Sequence, residues 1–316
     1  MILSLVTSVL ASFPVAYWSE GNAIPESLHH AETANVGLEF IDGCNPPKEA
    51  GIWLGFDSLC LEAVIESLET IPYPTKVSEF KPWVLGDLRL RAVPLGYDYY
   101  SLNYDPQYFA IQELPRSWED LARPELASLL VIPDPFQGGA GLAFLALSVE
   151  NLGEEGARKF WAELRDGGTR ITSDWEEAYF SAYSGHGGPY PLMFGYASTS
   201  QIERDLAPGV AAPGQILDLP ATSLRTVRYL AVNKEHAAEA LDLAEQIRQA
   251  YLDRPWFGSP LAGFDTPPFN APQEPARIRE REINQNQEAW LRDFRKIFYL
   301  GQDPAISLKL ELRPTE

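Results

Sequence analysis

Residues 132–148 read IPDPFQGGAGLAFLALS. An apolar strand ends in Asp-Pro, a small glycine-rich loop follows, and an apolar run of helical character begins. Strand, loop and helix in that order form the building unit of an α/β fold. A glycine-rich loop feeding a helix presents backbone N–H groups beside the positive end of the helix dipole, and so suits an anion or a polar ligand head. The nucleotide readings fail on the letters. A dinucleotide fingerprint needs G-x-G-x-x-G or its alanine variant, whereas Gly139-Ala140-Gly141 leads to Phe144, too bulky for the third position. A Walker loop ends in Gly-Lys-Ser/Thr, and 132–148 contains no lysine. The plainest alternative is a tight strand-to-helix connection made of small residues.

A chain of 316 residues exceeds what one hydrophobic core usually serves, so two lobes are expected. With 45% apolar residues it has material for a substantial core, which sets disorder aside. Its 44 Asp+Glu against 25 Lys+Arg give a net charge of −19. Such a field repels phosphate backbones and anionic membranes, so no nucleic-acid partner is expected, and it raises the encounter rate with cations. Solubility or a salty habitat is the plainer account of the acidity. Cys44 and Cys60 form no C-x-x-C pattern and have no histidine partner, which indicates neither zinc nor a redox motif and leaves a disulfide open. His29, His30, His186 and His236 lack metal-ligand spacing.

Short β-like runs alternate with helical segments. The strand candidates are 3–10, 36–41, 51–56, 90–104, 129–133, 169–172, 192–196 and 223–232. Helical patterns cover 58–68, 117–121, 142–152, 154–164, 236–252 and 284–298, and in 236–252 Ala240, Ala244, Ile247 and Tyr251 share one face. The apolar start, MILSLVTSVLASFPVAYW, has no basic leading region and no run of the ~18 apolar residues that a membrane span needs. The remnant of a secretion signal is one reading of it; the preferred one is a buried first strand followed by a ligand-facing loop at Phe13 to Trp18. Hydrolase signatures such as G-x-S-x-G and H-E-x-x-H are absent. The long strand-like segments 90–104 and 223–232 bracket a central block, and if both pass between lobes a cleft follows, the preferred place for a small ligand.

In GIWLGFDSL (51–59), PLGYDYYSLNYD (94–105), VIPDPFQGGAGLAFL (131–145), SDWEEAYFSAYSG with PLMFGYASTSQ (173–201) and EAWLRDFRKIF (288–298), the order of segments resembles the substrate-binding proteins of ABC importers, and within them the thiamine-binding branch. The resemblance implies a two-lobed α/β periplasmic-binding-protein-like fold of class II, with mixed sheets, flanking helices and a hinge cleft. Lobe 1 would be 1–93 plus 224–316, shortened relative to the family, and lobe 2 would be 94–223. It implies a non-enzymatic receptor without cofactor or metal, periplasmic or otherwise extracytoplasmic and monomeric by default, with a membrane permease as partner and thiamine or a related small cation as ligand. The ligand set it assigns is Trp18, Asp57, Tyr99, Gln137, Gly138, Gly139, Trp175, Tyr196 and Ser198. Cation–π contact with Trp175 or Tyr196 would hold the thiazolium ring at about 0.5–2 kcal/mol per contact.

Each residue has a duller role beside that one. Trp175 suits packing at a helix start capped by Asp174 or Ser173, about half of Tyr97, Tyr99, Tyr100 and Tyr104 must be core in an alternating strand, and Gly138 and Gly139 suit turn geometry alone. The sequence also departs from the family. Leu10 and Ile202 stand where it has site tyrosines, and 44–50 is too short for the helical crossover that parallel strands require. Ferric iron or a phosphonate-like anion at the 136–141 loop is therefore the competing ligand reading, with iron disfavoured by the lack of an adjacent Tyr-Tyr pair late in the second lobe. A diverged enzyme or scaffold on the same fold is the competing reading of another class.

Overall fold

A computed structural model describes residues 15–18, 38–41, 47–60, 64–69, 92–110, 113–206, 213–252, 272, 276 and 280–300. The chain divides into two compact units. The first comprises Met1–Tyr99, Tyr196–Ala211 and Arg225–Ala271, and the second Tyr100–Gly195, Ala212–Leu224 and Pro272–Glu316.

In the first unit, strands β1 (Val15–Trp18), β2 (Leu38–Ile41), β3 (Ile52–Asp57), the start of β4 (Ala92–Tyr104) and most of β9 (Leu224–Val232) run in the order β2-β1-β3-β9-β4. β1 is parallel to both β2 and β3, and β9 is antiparallel to β3. The β2–β3 connection therefore passes β1 instead of joining adjacent strands. Both faces of this sheet are apolar. Ile52, Leu54, Val93, Leu95, Leu230 and Val232 pack with Ala240, Leu243, Ala244 and Ile247 of a helix, Ala237–Leu252, while Trp53, Phe56, Tyr97, Val227 and Tyr229 form a second cluster. Strict alternation would send Phe56 to the face of Leu54. A bulge between Leu54 and Phe56, with Gly55 at φ 82°, inserts a residue and turns Phe56 to the face of Trp53.

The second unit holds the later part of β4, β5 (Leu130–Pro133), β6 (Arg170–Thr172), most of β7 (Leu192–Tyr196) and β8 (Gln215–Ile216). The order is β4-β7-β5-β6; β5 is parallel to β6 and β7, and β8 is antiparallel to β4. Helix α1 (Trp118–Leu121) is capped by Ser117, whose hydroxyl accepts from Asp120 N, and α2 (Pro124–Ala127) opens on proline. Helix α3 (Gly139–Gly167) is broken at Gly153, φ 70°, into the two halves expected from the sequence. Phe144 is the hub of the core, with ring centroids 4.9 Å from Phe194, 5.3 Å from Trp118 and 5.4 Å from Trp161. Helix α4 (Thr199–Leu206) belongs to the first unit, α5 is Ala237–Leu252, and α6 (Glu280–Phe294) continues as a π-helix, Arg295–Leu300.

Several expectations change. Within the expected helix 58–68, Ser58–Cys60 and Ile65–Ser67 are 3₁₀ turns and 61–63 lie outside the described residues; the first turn is closed by the Asp57 carboxylate, which takes the N–H groups of Leu59 (2.7 Å) and Cys60 (3.2 Å). The expected strand at 3–10, with Leu10, lies outside the described residues. Residues 15–18, expected as loop, are a strand held by pairing on both sides. The residues Pro272–Glu316 cluster with the second unit and not with the first, where 224–316 was expected whole, since Phe294 and Phe298 pack on Trp161 at 4.8 and 6.1 Å. The chain leaves the first unit at Tyr99/Tyr100 instead of after residue 93, and returns to it for Tyr196–Ala211.

Candidate functional site

Parallel strands collect loops at their carboxyl ends, and open α/β sheets bind ligands there. In the second unit β5 ends at Pro133 and is followed by Asp134, whose Oδ1 accepts from Phe136 N (2.9 Å) and whose Oδ2 accepts from the Tyr299 hydroxyl (2.9 Å). A 3₁₀ turn, Pro135–Gln137, leads to Gly138 (φ 81°) and Gly139 (φ 46°), positive values that favour glycine, and Gly138, at the N-cap of α3, has no side chain with which to cap it. Gln137 is exposed, whereas Gly138 and Gly139 are buried. Gly141 is dictated by space, because an added Cβ would lie 2.4 Å from the carbonyl oxygen of Pro133. The loop thus combines both readings of its letters: turn geometry and close packing fix the glycines, and the arrangement leaves a helix start at the sheet's carboxyl edge.

The neighbouring strand β6 ends at Thr172, followed by Ser173 and Asp174, whose Oδ1 accepts from Glu177 N (2.7 Å). Trp175 is 6% exposed and stacks on Tyr179, with centroids 5.0 Å apart and planes 10° apart. Tyr179 stacks in turn on Tyr183 at 6.0 Å. At the end of β7, a Cβ on Gly195 would lie 2.9 Å from Trp175 Nε1, so the missing side chain makes room for the indole.

In the first unit the carboxyl ends of β1 and β3 carry Trp18 and Asp57. The side chain of Trp18 lies outside the described ones. Asp57 is buried and stands in register with Arg228 on β9. Tyr99, Tyr196 and Ser198 gather around residues that the sequence did not single out. Asp98, 0% exposed, accepts from Tyr99 N (2.7 Å) and Ser198 N (3.3 Å) at Oδ1 and from the Ser198 hydroxyl at Oδ2. Arg228, 2% exposed, lies with its guanidinium carbon 4.5 Å from the centre of the Tyr196 ring, and Nη1 points to Gly55 O at 3.5 Å. Tyr99 is half-buried, meets Tyr97 edge-on at 6.1 Å, and is hydrogen-bonded by Arg225.

Burial lifts the Asp98 carboxyl from 3.8 to about 6, against the opposing pull of the Ser198 hydroxyl, the Tyr99 N–H and the Arg228 charge. Burial likewise raises the Tyr99 hydroxyl, with Arg225 opposing it. The missed residues left one trace in the letters: Asp98 and Arg228 are ionisable groups in the middle of runs that otherwise read as buried strands, and buried charges in such places need partners.

Among the described residues no cluster of three or more His, Cys, Asp or Glu is placed to hold a metal, and no helix is long and apolar enough to cross a membrane. Cys60 is disulfide-bonded, and Cys44, outside the described residues, is the chain's other cysteine.

Residues 67–285 match the bacterial extracellular solute-binding proteins, and the chain belongs to that family. Solved structures of the same fold include a periplasmic thiamin binding protein, 18% identical over 90% of this chain and 96% of that one, with a TM-score of 0.70. Iron-bound HitA from Pseudomonas aeruginosa is 16% identical over 90% and 99%, at 0.67. The periplasmic binding protein AfuA from Actinobacillus pleuropneumoniae, solved with fructose-6-phosphate, is 14% identical over 91% and 99%, at 0.68. No curated protein sequence matches. The fold is the mixed α/β periplasmic-binding-protein type, and family and structural relatives alike are non-catalytic solute-binding proteins. No branch stands out, since thiamin-, iron- and sugar-phosphate-bound relatives score alike.

Proposed function

We propose that the chain is the extracytoplasmic receptor of an ABC importer and that its solute is a small anion. One observation carries the choice of ligand: the aromatic faces that a flat cation would need are engaged within their own units. Arg228 covers Tyr196, and Tyr179 stacks on Trp175. A thiazolium on Tyr196 would meet a guanidinium, whereas an anion would find Arg225 and the Ser198 segment in the first unit.

Such a receptor works by binding the closed state of its two units better than the open one and presenting that state to a membrane permease. The bonded Cys60 suits the oxidising compartment this requires. The second reading, a thiamine-like cation, draws support from the net charge of −19, which speeds encounter with cations.

A thermal-shift series with sulfate, phosphate, fructose 6-phosphate and thiamine separates the readings. A true solute at one hundred times its Kd adds about 2.7 kcal/mol to stability. An anion is expected to raise the midpoint and thiamine to leave it unchanged; a shift with thiamine alone would reverse the assignment.

A further inference from the structure

The loop that follows β5 is held from far along the chain. Asp134 donates its main-chain N–H to Thr172 O (3.0 Å), and so joins the ends of β5 and β6. Its Oδ1 closes the 3₁₀ turn on Phe136 N, and its Oδ2 takes the Tyr299 hydroxyl at 2.9 Å. Tyr299 belongs to the π-helix Arg295–Leu300, which brings a second group to the same turn: the Arg295 guanidinium carbon lies 4.5 Å from the centre of the Phe136 ring. Phe136 also meets Phe294 at 6.1 Å.

The element that reaches the loop is itself anchored elsewhere. Phe294 and Phe298 pack on Trp161, and Arg165 Nη1 donates to Ile297 O at 2.6 Å. Trp161 and Arg165 lie in the half of α3 beyond the break at Gly153, whereas the loop feeds the half before it. All of these residues belong to the second unit. The C-terminal element is thus a brace from the far half of α3 back to the loop at its start. The turn's own bonds are short-range, Gln137 N to Asp134 O and Gly138 N to Pro135 O. Gly138 and Gly139 both sit at positive φ, and glycine leaves a chain free to take other shapes unless something fixes it. Burial, with the Asp134 charge next in weight, raises the Tyr299 hydroxyl above its ordinary value, so it stays a donor to the carboxylate.

We propose that Tyr299 and Arg295 are positioning residues of the receptor: from the C-terminal π-helix they hold the Asp134–Gly139 loop in the shape in which it receives solute. This deepens the receptor reading and rests on it, whichever sign of charge the solute carries. Neither residue is placed on the solute; both act through Asp134 and Phe136. A loop fixed before binding avoids the ordering cost that a free loop meets on binding.

Amide hydrogen exchange and isothermal titration test this on the wild type, Tyr299→Phe, Arg295→Gln, Arg295→Lys and Arg158→Gln. Tyr299→Phe removes one oxygen and keeps the ring, 5.7 Å from that of Phe294. Arg158→Gln is the control, since it breaks a tie between α3 and the same C-terminal helix, to Asp293 at 2.8 Å, that does not involve the loop. In Tyr299→Phe the amides of Phe136, Gln137 and Gly138 should exchange roughly fivefold faster, while those of Leu130–Ile132 in β5 keep their rates. Sulfate, phosphate, fructose 6-phosphate and thiamine are then titrated. The probe that binds the wild type should bind Tyr299→Phe roughly fivefold more weakly. Arg295→Gln should lose about twofold, Arg295→Lys should recover it, and Arg158→Gln should change neither readout.

Unchanged loop exchange in Tyr299→Phe, or faster exchange spread evenly over β5 and α3, overturns the proposal. So does an equal loss of affinity in Arg158→Gln, which would mean that the C-terminal helix serves stability alone. A probe that binds wild type and Tyr299→Phe equally overturns the positioning role and spares the receptor. Binding of thiamine alone, weakened in Tyr299→Phe, upholds the positioning role and overturns the anion assignment. If none of the four binds, the ligand assignments and the positioning role fall together.

Discussion

Replacing Arg228 by methionine should lower stability by about 3 kcal/mol at pH 7.5 and by clearly less at pH 5. Removing a buried cation takes away one of the influences that hold a buried carboxylate in its charged form, which is where a loss of this order comes from. Asp98 is wholly buried, and the Arg228 charge is one of the influences that hold its carboxyl down. The sign follows from linkage. Its folded value of about 6 lies above the ordinary 3.8, so its contribution to stability is fully present below about 4 and is lost as pH rises through about 6. Without Arg228 the value rises further, and the loss deepens at neutral pH. At pH 5 Asp98 is already mostly protonated in the wild type, so the share of the loss that comes from its charge is largely gone there. Urea unfolding of both proteins at the two pH values measures this. An equal loss at both would mean that Arg228 serves the fold by packing on Tyr196 and not by its charge.

Phe144→Ala should cost about 3–5 kcal/mol and lower the second unit's melting temperature by on the order of 10 °C. Phe144 is fully buried on the first half of α3, and its ring touches those of Trp118, Phe160, Trp161 and Phe194, which come from α1, the second half of α3 and β7. The cavity therefore opens at the joint of three elements, one of which begins at the Gln137–Gly139 loop. Because Gly141 packs so closely on the end of β5, repacking of α3 moves the loop as well, and solute affinity should fall together with stability. Calorimetric melting beside a binding titration checks the pair of effects. A melting change with unaltered affinity would show that the loop is held by its own turn.

The strands were legible because apolar runs bounded by turn residues survive in any context: β3, β5, β6, β7 and β9 lie within a residue or so of where alternation puts them. β1 was misread because VAYW follows Pro14, and what makes it a strand is pairing with β2 and β3 on either side, a long-range fact. The same holds for the C-terminal helix. Its amphipathic pattern is visible in 284–298, but its destination is set by Trp161, more than a hundred residues earlier.

At the candidate site the tyrosines of 94–105 point towards aromatic stacking, and the letters single out no role for the aspartate among them. Asp98 acquires meaning only when Ser198 and Arg228, from two other segments, are folded against it. Tyr196 shows the converse. The letters suggest an open aromatic face, and the fold sets Arg228 on it. That placement is what the proposed anion reading rests on, and the motif order that defines the receptor family is unaffected by it.

The most direct measurement is isothermal titration calorimetry of the purified chain with sulfate, phosphate and fructose 6-phosphate, run beside thiamine at pH 6. The account predicts saturable one-site binding of an anion and no heat of binding from thiamine. Saturable binding of thiamine with none from any anion would contradict it, and would mean that Arg228 yields the Tyr196 face to the ligand when the receptor closes.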